Sequence, residues 1–355
     1  MINQDQKDEI IRFVLDASDK ENENLAVFIA VLILSIPCLV YYNFSTIAIP
    51  TKGGPTDYVY KKHSYYSRAV EGFGYGRMNN EGFNNIEDYN EQPVDILLMG
   101  SSQMEGLQVP QDKTTASLLN KLFFGKEYVY NIGMGGHDFS IIANNFEAAI
   151  KQYAPKQYVI IETGSIQFSM QTLIDIINYE IPENILESNI RGPRAFLRTT
   201  FLKNILYVRL FAYQVKQFRD KANKGKPEGL DEFNKDDYLE NINMVMQRLN
   251  QTTIENNTRL IIFFHPHLTL NRDGSASANT NDEYLDAFKA ACINNGIYFL
   301  DMTAIFMEEY QINHILPYGF ANTAVGAGHL NKNGHRIIAN ELFRGINEIE
   351  KGGSL

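Results

Sequence analysis

Ser102 and His329, with a few glycines and polar residues, are the positions whose types and spacing could do chemistry. The run Asp95-Ile-Leu-Leu-Met-Gly-Ser-Ser-Gln-Met-Glu-Gly106 is apolar through Met99 and then turns abruptly polar. A serine at the tip of a buried strand holds its hydroxyl at a fixed place, where a histidine can take the proton and free the oxygen to attack an acyl carbon. His329 lies in Gly-Ala-Gly-His-Leu-Asn-Lys-Asn-Gly-His335, just ahead of a helix start, and is the candidate base. Asn131-Ile-Gly-Met-Gly-Gly136-His-Asp138, Gly164-Ser-Ile-Gln167 and His265-Pro-His267 are further polar clusters, each after an apolar run. His265, His267 and Asn131 are expected at the substrate, Asp138 at a helix N-cap, and His335 packed on the last helix. One His-x-His pair without clustered carboxylates is not a metal signature, so no metal and no cofactor is expected.

These clusters need elements to position them. Short apolar runs at Val94–Gly100, Glu127–Gly133, Tyr158–Gly164, Arg259–His267 and Ile297–Thr303 read as strands. Helical spacing at Thr114–Phe124, Asp138–Tyr153, Glu283–Gly296 and Asn331–Ile346 alternates with them. Such alternation predicts a parallel sheet covered on both faces, an α/β three-layer sandwich whose ligands bind beyond the carboxyl ends of the strands. The reactive residues all fall at that end. From about residue 168 to 256 the alternation is interrupted by what reads as a helical insertion; ten Lys or Arg and one acid lie between Arg191 and Lys226. That basic stretch is either a solvated face or a cover that meets lipid or an anionic polymer.

Of 355 residues, 44% are hydrophobic and 21% charged, enough for a large core. The net charge of -10 argues against nucleic acid. Two cysteines, Cys38 and Cys292, far apart, make no disulfide framework. Leu25 to Ile49 carries no charge, and its first eighteen residues are nearly all apolar, which predicts a transmembrane anchor at 25–49 behind a tail at 1–24. Residues 50–90, rich in Tyr, Gly and Asn, read as a structured approach to the main domain at 91–350. Lysines and arginines flank the anchor on both sides, so charge does not orient it; the main domain is expected outside the cytoplasm on functional grounds.

With strand, Gly-x-Ser and helix in hand, the pattern resembles the SGNH (GDSL-like) hydrolases, and its approach segment resembles their membrane-anchored O-acyltransferase-like branch. The resemblance implies a flavodoxin-like fold, Ser102 as nucleophile and first oxyanion donor, Gly136 as second donor, and His329 as base. Two departures stand out. Ile166 replaces the oxyanion asparagine of the third block, leaving Gln167 as a possible substitute, and Gly326 stands where the triad aspartate should be. Where that acid is native, its loss costs about four orders of magnitude in rate. A Ser–His dyad needs another group to orient the imidazole; Asp301, at the end of the last strand, is one distant candidate.

The expectation is a membrane-anchored acyl esterase or O-acyltransferase with an acyl donor and a surface glycan or teichoic-acid-like acceptor, near membrane lipid and beside a multi-spanning acyltransferase. The alternative is a degenerate scaffold of the same fold that binds such a polymer. The discriminator is whether His329 lies within hydrogen-bond reach of Ser102 with an orienting acceptor behind it.

Overall fold

The computed structural model describes residues 4–44, 46–51, 54–179 and 234–352. The chain divides into two compact units. Of the first, the described part is helix α1, Gln4–Phe44. It joins the expected tail and most of the expected anchor in one element, with Leu25, Val27, Phe28, Ile33 and Leu39 exposed along it. Among the described residues no helix is long and apolar enough to cross a membrane. The boundary expected at Ile49 is corrected: Ala48–Pro50 is strand β1, paired antiparallel with β2, Tyr58–Tyr60.

The second unit opens with that pair and with the hairpin β3 (Tyr65–Arg68) and β4 (Gly74–Arg77). Its centre is a five-stranded parallel sheet made of β5 (Ile96–Met99), β6 (Val129–Asn131), β7 (Tyr158–Thr163), β8 (Arg259–Phe264) and β11 (Tyr298–Asp301). The spatial order is β11-β8-β7-β5-β6. Counted among these five alone that is 2-1-3-4-5, the flavodoxin order. Every residue of β5 and β7 is buried, as expected where helices cover both faces.

Two cores follow from the alternation of side chains along the strands. On one face Leu97, Met99, Val159, Ile161, Ile262 and Phe299 meet α4 (Phe139–Tyr153), α5 (Met170–Ile177), α6 (Lys235–Glu255) and α7 (Asp282–Asn294). On the other, Ile96, Leu98, Ile160, Ile261 and Leu300 meet α3 (Thr115–Leu122), α8 (Thr303–Asn313) and α9 (Lys332–Glu350). The expected helical insertion is seen at its two ends, in α5 and α6; residues 180–233, with the whole basic stretch, lie outside the described residues. Two further antiparallel pairs stand apart from the five-stranded sheet: β9 (Leu268–Leu270) with β10 (Ala276–Ala278), and β12 (Tyr318–Gly319) with β13 (Val325–Leu330).

The order reverses at β5, which has β6 on one side and β7 on the other. That switch point opens a crevice above the carboxyl ends of β5 and β7. Met99 pairs with Ile161, so the next residues of the two strands, Gly100 and Glu162, stand level at the crevice floor.

Candidate active site

The chain turns from strand to helix within three residues of Met99. Ser101 caps the short helix α2, Ser102–Glu105, its Oγ accepting from the Gln103 N–H at 3.2 Å. The Ser101 N–H donates to Glu162 Oε2 at 2.6 Å, which pins the turn to β7. Ser102 is the first helical residue, so its N–H has no acceptor inside the helix, and among the described residues nothing else accepts it. This is why the strand stops on Gly-Ser-Ser: the turn fixes one hydroxyl and leaves one N–H open beside it.

His329 stands on β13, with Nε2 3.0 Å from Ser102 Oγ. Asn331 caps α9 through the N–H groups of Asn333 and Gly334, and the Leu330 N–H donates to Gln103 Oε1 at 2.7 Å, tying the histidine's strand to the serine's helix. Behind the imidazole, where Gly326 has no carboxylate to offer, stands Glu71. Its Oε2 lies 2.7 Å from His329 Nδ1, and its Oε1 accepts from the His329 backbone N–H at 2.8 Å. Glu71 comes from the tip of the β3–β4 hairpin. That tip is fastened by Asn322, whose side chain accepts from the Gly72 N–H and donates to the carbonyls of Ala69 and Gly72. Gly328 makes the approach possible: a Cβ there would lie 2.2 Å from Glu71 Oε1, and its φ of +92° suits glycine.

With the Nδ1 N–H donating to the carboxylate, Nε2 is left without a proton and can accept that of Ser102. This is a serine, an imidazole and an acid in series, the arrangement that performs acyl transfer on unrelated folds. The acid is the member absent from the sequence reading. Asp301 does not fill its place, because its Oδ1 accepts from the Thr303 N–H at the start of α8.

Ser102, Gly136, Gln167 and His267 line one cavity of about 530 Å³. Polar groups of Ser165, Ser169, Thr172 and Asp138 share its wall with the rings of Phe139 and Phe168, 5.3 Å apart. Ile166, at the position of the expected asparagine, is buried in the core, while Gln167, one residue on, is exposed at the cavity. Among the described lining residues there is no lysine or arginine.

The remaining expected residues divide. His267 lies at the cavity with its ring 4.9 Å from that of Tyr318; partial burial and the nearby His265 and His329 hold it below the usual imidazole range. His265 also borders the cavity, but it is 1% exposed and both ring nitrogens are engaged within the protein, Nε2 with Glu162 Oε1 and Nδ1 with the Tyr318 hydroxyl, each at 2.6 Å. No ring nitrogen is spare for a substrate. Burial would raise the Glu162 carboxyl, but its bonds from His265 and Ser101 outweigh that and hold it below the usual range. Asn131 is buried, donating to the Met104 carbonyl and accepting from the Gly133 N–H, so it shapes the glycine loop from beneath. Asp138 caps α4 through the Ile141 N–H, as expected. His335 is buried against Thr115, and burial pushes it down to about 3. No group of His, Cys, Asp and Glu among the described residues could hold a metal.

No family model matches the chain. No curated protein sequence matches it. Solved structures similar to it include the psychrotrophic esterase EstA from Pseudoalteromonas sp., 12% identical with a TM-score of 0.38 over 72% of this chain and 98% of that one. The acetyl xylan esterase AlAXEase is 12% identical with a TM-score of 0.40, over 70% and 98%. The lipase/acylhydrolase from Enterococcus faecalis is 12% identical with a TM-score of 0.39, over 71% and 94%.

Proposed function

We propose that this chain is a serine acyl esterase or O-acyltransferase working through an acyl-Ser102 intermediate. The single observation that carries the reading is the continuous chain Glu71–His329–Ser102, at 2.7 and 3.0 Å. A scaffold protein would have no need of an imidazole so held.

In the proposed reaction His329 Nε2 takes the Ser102 proton as Oγ bonds to the acyl carbon. The carbonyl oxygen becomes an oxyanion between the N–H groups of Ser102 and Gly136, with the Gln167 amide within the same cavity. Collapse breaks the bond to the leaving oxygen, which receives the proton from His329. Water or an acceptor hydroxyl, deprotonated by His329, then attacks the acyl-serine and Oγ recovers its proton. Glu71 stays ionised throughout and stabilises the imidazolium formed twice per cycle.

The substrate class and setting belong to the same proposal. The hydroxyls and amide around the cavity, and its lack of a cation among the described lining residues, suit an ester of a surface glycan better than the phosphate backbone of a teichoic-acid-like polymer. The apolar run from Leu25 supports a setting at a membrane as a single-pass protein, and the proposal puts its main domain outside the cytoplasm, within reach of a multi-spanning membrane acyltransferase as source of the acyl group.

The test is to treat the full chain in detergent with a fluorophosphonate probe and weigh the intact protein. One adduct per chain, lost in Ser102→Ala, is the expected result. Absence of an adduct on well-folded wild type overturns the reading. Membrane fractionation tests the setting: release by detergent and not by high salt is expected, and recovery of the full chain in the soluble fraction refutes it.

A further inference from the structure

The segment before the sheet reaches the site at a second place. Tyr58, on β2, donates its hydroxyl to the Gly135 carbonyl at 2.6 Å. That carbonyl belongs to the same peptide unit as the Gly136 N–H. The unit is planar and trans, so its C=O and N–H point in opposite directions. With the carbonyl held toward Tyr58, the Gly136 N–H is turned away from it, and Gly136 lines the cavity that Ser102 also lines.

Such a peptide needs holding. It is flanked by two glycines, Gly136 with φ of +84° and open space where a Cβ would be, so no side chain resists its rotation by half a turn. The preceding peptide is fixed separately: the Gly135 N–H donates to Glu105 Oε1 at 3.0 Å, and that oxygen also accepts from the Tyr60 hydroxyl at 2.5 Å. Burial, foremost, and the charge of Glu105 raise the Tyr58 phenol, which keeps it a donor at neutral pH.

We infer that Tyr58 is a positioning residue for acyl transfer, whose hydroxyl fixes the direction of the Gly136 N–H and so completes the oxyanion site. The inference rests on the reading of Ser102 as nucleophile. Removal of the hydroxyl leaves the Gly135 carbonyl free to rotate and misaims the N–H without removing it. Deleting one oxyanion donor outright costs about 10² to 10³ in rate; a misaimed donor is expected to cost about 10 to 100-fold.

The experiment compares wild type, Tyr58→Phe and, as a control, Tyr65→Phe, an exposed tyrosine on the neighbouring hairpin. The rates are measured where circular dichroism shows all three folded. The readout is the saturation kinetics of phosphonate labelling at Ser102, which separates the limiting rate of bond formation from the binding constant. The expected result is a limiting rate reduced 10 to 100-fold in Tyr58→Phe with the binding constant unchanged, and no change in Tyr65→Phe. A limiting rate within twofold of wild type overturns the role of Tyr58 and leaves the serine reading standing. A fall confined to the binding constant also overturns it, because Tyr58 would then shape the cavity and not the oxyanion site. Wild type that does not label at all overturns the serine reading, and this inference with it.

Discussion

Replacing Glu71 by glutamine keeps the size of the side chain and removes its charge, and the geometry makes the outcome calculable. The carboxylate accepts two hydrogen bonds from His329, one from the backbone N–H at 2.8 Å and one at Nδ1 at 2.7 Å. An amide offers one acceptor and one donor. If its oxygen keeps the backbone N–H, its NH2 faces Nδ1 and is satisfied only by a lone pair there. The ring proton then moves to Nε2, and the imidazole can no longer accept from Ser102. If the amide turns over, its NH2 abuts the backbone N–H, leaving a donor pair unmatched at a cost of about 1–3 kcal/mol. Both arrangements also lose the anion that stabilises the imidazolium.

A buried acid in this role is worth about 10⁴ in rate. Glu71 is 25% exposed, so water and ions replace part of its field. The expected loss for Glu71→Gln is therefore about 10³, equivalent to about 4 kcal/mol in the barrier. The assay is the second-order rate of fluorophosphonate labelling beside steady-state hydrolysis of an activated acetate ester, with thermal melting to confirm the fold. A variant within threefold of wild type in both rates would refute the argument that Glu71 orients the base.

Three further outcomes follow from neighbouring geometry. Gly328→Ala, whose new Cβ would lie 2.2 Å from Glu71 Oε1, is expected to lose about 10²-fold or more in the same labelling rate but to add little in a Glu71→Gln background; fully additive losses would refute a shared cause. Glu162→Gln takes the carboxylate from the His265 ring and the Ser101 N–H, which are buried with it, and is expected to cost about 1–3 kcal/mol in urea unfolding; a cost under about 0.5 kcal/mol would refute its structural role. His335, held down to about 3 by burial, is neutral in the folded state while the unfolded chain takes a proton below about 6.5. Its stabilising effect is thus complete above that value and drains away as pH falls toward 3. Between pH 7 and pH 5 the wild type should lose about 2 kcal/mol more than His335→Gln. The raised Glu105 carboxyl works in the opposite sense in both proteins, so equal losses would refute the assignment to His335.

What was legible in the sequence was local. The apolar runs of β5, β7 and β8 and the Gly-Ser-Ser turn announce themselves within a few residues, and so do the caps at Asp138 and Asn331. The strand order then brings Ser102 and Gly136 to one rim, and the β12–β13 pair brings His329 to Ser102. His265 misled because a histidine at a strand end looks the same whether it faces a substrate or a buried carboxylate; Glu162 gives no signal of its own inside an apolar run. Glu71 was out of reach for a different reason. It is 258 positions from His329, in a hairpin ahead of the sheet, and no periodicity links a hairpin tip to a strand so distant.

A trace of that contact is nevertheless present in Gly-Ala-Gly-His. Gly326 has no carboxylate to give, and Gly328 has no Cβ to obstruct one arriving from elsewhere. An absent side chain beside a base can therefore mean a degenerate site or a docking space, and the distances to Glu71 support the second reading. The consequence reaches beyond one residue. The segment that carries Glu71 also carries Tyr58, whose hydroxyl meets the Gly135 carbonyl, and Tyr60, which braces Glu105. Strand β5 of the sheet carries the proposed nucleophile and the β12–β13 pair the proposed base; the acid, and the support of the glycine loop, arrive with the chain that leads into the sheet. Acyl transfer by this protein would then require that segment to be docked, a condition set by packing of the hairpin and not by the sheet's own rim.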